Sequence, residues 1–86
     1  MAFMGGSAFA MARDIAEGYI LLNAAVLRRM TPEELKQLRF ELDRVLTTLR
    51  GEQIPQDQMA QLQARNRKVS RLNSAVSMIN GQLLAR

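Results

Sequence analysis

The chain has 86 residues and no cysteine, histidine or tryptophan. That composition excludes disulfides, thiolate and imidazole metal sites, and any histidine general base. Twelve basic and eight acidic side chains give a formal charge of +4. A chain this short forms one small domain and buries about 60–65% of its unfolded surface. With metals and disulfides gone, oligomerisation is the remaining support for so small a core.

Residues 1–12 carry no charge, yet they lack the basic start and long apolar centre of a secretory signal. Residues 1–7 are expected to fray, leaving 8–86 as a single helical domain. The richest apolar run, 19–27, is about half the length of a membrane span and contains Asn23. No transmembrane segment is expected, and absence of cysteine fits a reducing compartment, so the expected location is cytoplasmic.

Alanine, leucine, glutamine, arginine and methionine favour helix, and no strand-like alternation occurs. The first predicted helix spans about 8–30. Ile15, Ala16, Tyr19, Ile20, Leu22, Val26 and Leu27 fill an arc of about 160°, with Arg13, Asp14, Glu17, Arg28 and Arg29 opposite. Gly18 is the weak point of that helix.

The clearest boundary is Thr31-Pro32-Glu33-Glu34. Thr31 suits the N-cap, Pro32 the first helical position, and Glu34 the returning carboxylate of a capping box. A second helix then runs over 32–50 to a stop at Gly51, with Leu35, Leu38, Leu42, Val45 and Leu49 as one seam widened by Leu46. Phe40 lies off that seam, so it is expected against the first helix or another protomer. A short linker holding Pro55, with Asp57 as a plausible cap, leads to a third helix over about 56–85. Its stripe is Leu62, Val69, Leu72, Val76, Ile79 and Leu83.

These elements predict an all-α fold: an antiparallel helical hairpin preceded by an angled N-terminal helix, assembling into an oligomeric helical bundle. One residue between the first two helices is too few for an easy reversal, so the first helix leaves at a corner with its apolar face partly uncovered. The longer third helix overhangs the second by roughly 10–15 Å.

Asn66, Asn73 and Asn80 fall on one line at heptad spacing, extended by Met59 and flanked by Ser70 and Ser77. Two readings stand: asparagines that fix register in a coiled seam, or half-exposed edge residues. The candidate oligomer interface comprises Ile15, Tyr19, Leu22, Val26, Phe40, Leu62, Asn66, Val69, Leu72, Asn73, Val76, Asn80 and Leu83.

Residues 58–86 hold five basic and no acidic side chains. Arg65, Arg67, Lys68 and Arg71 are the candidate anion or nucleic-acid contacts, because a phosphate backbone rewards positive charge irrespective of sequence. The other reading is a solvated face, or one paired with Glu33, Glu34, Glu41 or Asp43. No aromatic interleaves the cluster, which argues against stacking on single strands. Phe3, Met4, Phe9 and Met11 suit either a strap over the chain's own core or insertion into a partner.

No phosphate loop, activated nucleophile or distinctive acid pair is present, so no enzyme and no cofactor are expected. The reading is a small non-enzymatic helical scaffold or adaptor whose partner is a second copy of itself, or another protein. The alternative is a dimeric nucleic-acid-binding regulator using the basic face.

Overall fold

The computed structural model describes residues 6–85, and every regular element among them is helical. The helices are α1 (Ala8–Glu17), α2 (Ala24–Arg28), α3 (Pro32–Arg50) and α4 (Met59–Leu84). They pack as one cluster: α3 against α4, α1 against both, and α2 against α4.

α3 spans the residues its sequence predicts. The Thr31 hydroxyl accepts from the Glu34 N–H at 3.1 Å, and the Glu34 carboxylate accepts from the Thr31 N–H at 2.9 Å. Two backbone donors that no helical carbonyl reaches are thereby satisfied. Glu33 and Glu34 lie at the positive end of the helix dipole and Arg50 at the negative end. Leu35, Leu38 and Leu42 are fully buried and Leu46 nearly so. Burial of each is worth about 1.5–3 kcal/mol relative to exposure. Gly51 closes the helix in an ordinary right-handed conformation, φ −81°, so its left-handed freedom goes unused.

The single first helix expected over 8–30 is in fact two. Gly18 sits at φ +84° and ends α1: its N–H donates to the Ile15 carbonyl and the Tyr19 N–H to that of Asp14. Those paired bonds form a Schellman stop, and the left-handed geometry is one that glycine adopts without steric cost. The chain runs extended to Asn23, whose side-chain oxygen accepts from the Val26 N–H at 2.9 Å and starts α2. A polar residue within the apolar run is thus a helix cap. Of the frayed segment expected over 1–7, residues 1–5 lie outside the described residues, whereas Ser7 caps α1 by accepting from the Ala10 N–H.

α4 begins at Met59, three residues later than expected, because a turn closed by Gln58 N–H donating to the Pro55 carbonyl occupies 55–58. Asp57 does not cap it; Gln58 holds the cap position and makes no side-chain bond there. At 26 residues α4 is about 39 Å long, which sets the 45 Å long axis of the molecule.

The core joins Met11, Ala12, Ile15 and Ala16 of α1 to Leu22, Leu27 and Met30, the four α3 leucines, and Leu72, Ala75 and Ile79 of α4. Arg39 meets Asn80, Arg50 meets Asn73, and Arg65 meets the Glu52 carbonyl, so rising numbers on the α3 side face falling numbers on α4. No helix among the described residues is long and apolar enough to cross a membrane.

Candidate interaction surfaces

The basic cluster on α4 works largely within the chain. Arg71 Nη1 donates to the Ala16 carbonyl at 2.9 Å, and Lys68 Nζ lies 3.0 Å from Glu17. α1 has no basic residue in its own last turn, so α4 supplies the cations at the negative end of the α1 dipole. Gly18 makes room for this clasp, since a Cβ there would sit 3.2 Å from Arg71 Cζ. Arg65 donates to the Glu52 carbonyl at 3.1 Å and pins the start of the linker. These partners are Glu17 and two backbone carbonyls, not the carboxylates of α3 suggested by the sequence. Arg67 projects into solvent.

The asparagine line runs along the outside of the α3–α4 junction. Asn80 accepts from Arg39 at 2.8 Å and Asn73 from Arg50 at 3.3 Å, and all three asparagines are exposed. Within the single chain they are edge residues, and Asn73 and Asn80 are bridged to α3. Leu62, Val69, Val76 and Leu83 beside them are half-buried.

The other expected interface residues divide three ways. Ile15, Leu22 and Leu72 belong to the chain's own core and offer no free surface, a correction to the expected open face on the first helix. That face closes because the break at Gly18 lets α1 lie across both long helices. Val26 is half-buried. Tyr19 and Phe40 are 79% and 61% exposed.

Phe40 lines a shallow groove of about 520 Å³ with Phe9 of α1, Val45 and the methyl-bearing Thr47 and Thr48. Arg44 and Arg13 lie over the Phe40 and Phe9 rings at 5.8 and 5.9 Å. Met11, grouped with Phe9 from sequence, is wholly buried, while Phe3 and Met4 lie outside the described residues.

The sequence reading took in part of the outward face of α4, the asparagine line with Met59, Ser70 and Ser77, and missed its extension through Gln63, Ser74, Gly81 and Leu84. Met59, Gln63, Asn66, Ser70, Asn73, Ser74, Ser77, Asn80, Gly81 and Leu84 are all exposed and none is charged. The run 59–71 contains no buried side chain, since the buried residues of α4 are Leu72, Ala75 and Ile79. A helical wheel of α4 would have added those residues, but only the fold tells which face points outward. No set of three or more acidic side chains among the described residues is placed to hold a metal ion. Comparison with protein-family models, curated proteins and solved structures gives no match to this chain.

Proposed function

We propose that this protein is a small non-enzymatic helical scaffold or adaptor, an antiparallel α3–α4 hairpin whose partner is a second copy bound along the outward face of α4. The observation that carries the reading is the uncharged character of that face over the full length of the helix. Solvent-facing helix positions ordinarily carry charge. Here they carry asparagine, serine and glycine, each costing about 0.5–1 kcal/mol of helix propensity against alanine. Asn73 and Asn80 are engaged with α3, but Asn66, the serines and Gly81 have no such bond, and their size lets a second helix approach closely.

The first half of α4, where side chains are at most half-buried, supports the same reading. A helical stretch of 12–15 residues is marginal in water without packing, and 59–71 has no buried side chain in this chain. An antiparallel pairing centred near Asn73 sets the two Arg67 side chains about 18 Å apart along the axis. That exceeds the screening length of about 8–10 Å, so the two Arg67 side chains do not repel. The nucleic-acid reading has less support, because Arg65, Lys68 and Arg71 each hold a partner within the chain.

Light scattering coupled to size exclusion, at tens of micromolar, tests the proposal. The expected mass is twice that of one chain, and a Ser70→Glu/Ser77→Glu double variant is expected to halve it while keeping the same helical circular dichroism. A folded wild-type monomer at that concentration refutes the reading.

A further inference from the structure

A second cavity, of about 290 Å³, lies where the extended 18–22 segment passes over α4. Its walls are mostly aliphatic, including Ile20, Leu21, Leu22 and Met78, and its polar lining is Ser70, Ser74 and the guanidinium of Arg71. No acidic side chain lines it. The mouth is greasy: Leu21 is 85% exposed and Met78 36%.

Arg71 is what makes this more than a gap in packing. Its Nη1 is anchored to the Ala16 carbonyl, which holds one end of the guanidinium beside the cavity. A guanidinium has five N–H donors in a rigid fork, so the anchor leaves donors for another acceptor. The geometry points to a binding site for a small aliphatic monocarboxylate, its carboxylate on Arg71 and its alkyl chain against Ile20, Leu22 and Met78. One cation in the lining matches a singly charged head, and the planar fork matches a carboxylate. The second nearby cation, Lys68, is already paired with Glu17, which disfavours a doubly charged phosphate. The volume is at the small end of the roughly 300–1,000 Å³ of ligand pockets, which limits the tail to medium length. This inference does not require self-association, but Ser70 and Ser74 also lie on the face proposed for the second copy, so binding is read on chain dilute enough to be monomeric.

The test is a nuclear magnetic resonance titration of the isotope-labelled full chain with octanoate, kept below its micelle concentration, beside 1-octanol and acetate. Octanoate is expected to give saturable shifts at the amides of 18–22 and 70–78, with octanol and acetate each at least tenfold weaker. Arg71→Met is expected to weaken octanoate at least tenfold and leave octanol unchanged. Because Arg71 also clasps α1, Ser74→Phe provides a second variant, which fills the cavity without touching the clasp and is expected to abolish the shifts. Equal binding of octanol and octanoate overturns the proposal. So do shifts that never saturate or spread evenly over the helices, and so does undiminished octanoate binding by Ser74→Phe.

Discussion

α3 and α4 are the two long helices of the molecule, and they are built on opposite principles. α3 is stabilised from end to end by its own residues: a reciprocal cap, Pro32 at the first position, acids at the start, Arg50 at the end. Its exposed positions include Glu33, Lys36, Asp43 and Arg44. α4 has no side-chain cap, no acid in its first turn and no base in its last. Three of its four charged residues serve α1 and the linker, and the asparagine- and serine-lined face is neutral. A helix so furnished draws its stability from what packs on it, and the chain fully buries side chains only in its second half. The contrast separates a helix that carries its own stabilising features from one that depends on its packing.

The sharpest way to break the contrast is to remove the same side chain from each helix. Leu42→Ala, at a fully buried α3 site, is expected to cost about 2–5 kcal/mol in urea unfolding. Leu62→Ala, at a half-buried site in the first half of α4, is expected to cost less than about 1 kcal/mol when measured dilute enough to keep the chain monomeric. Equal losses would mean that the chain itself covers α4 as fully as α3.

The clasp between α4 and the end of α1 comes next. Gly18→Ala introduces both a left-handed alanine and a Cβ 3.2 Å from Arg71 Cζ, and is expected to cost about 1–2 kcal/mol. A melting temperature within error of wild type would show that α1 ends without the help of Gly18.

Capping makes a gentler comparison. Thr31→Ala deletes the acceptor for the Glu34 N–H and is expected to cost about 1 kcal/mol. Gln58→Ala at the equivalent position of α4 removes no cap bond and is expected to be neutral in the same thermal melt. A loss at Gln58 as large as that at Thr31 would erase the asymmetry between the two helix starts.

The same asymmetry explains what could be read from sequence. The capping box, the proline and the leucine seam are local features, and α3 emerged with its boundaries intact. The break in the first helix was also local, in Gly18 and Asn23, but the apolar arc ran through both and outweighed them. Asn23 looked like a polar interruption, when its side chain was starting a new helix. The α4 start moved because Pro55 and Gln58 close a turn that leaves Asp57 outside the cap position. The roles of Lys68 and Arg71 were not legible at all: their partners lie more than fifty residues earlier and meet them only through the packing of α1 on α4. Asparagine spacing was visible, yet its engagement with Arg39 and Arg50 depends on the pairing of α3 with α4.

The smallest expected effect discriminates most finely between the two outward faces. Asn66 is exposed in α4, and asparagine is a poorer helix former than alanine by about 0.5 kcal/mol, so Asn66→Ala is expected to raise the stability of the dilute monomer by that amount. Lys36, exposed on α3, ranks near alanine, and Lys36→Ala is expected to leave stability unmoved. If the outward face of α4 is where a second copy sits, Asn66→Ala also weakens association, measured as a higher dissociation constant by sedimentation. The two changes then have opposite signs, as expected for a residue kept at some cost to its own helix because it serves the contact. A variant that is more stable and associates equally well would place Asn66 outside the contact, and one that is less stable would show that Asn66 already supports the monomer.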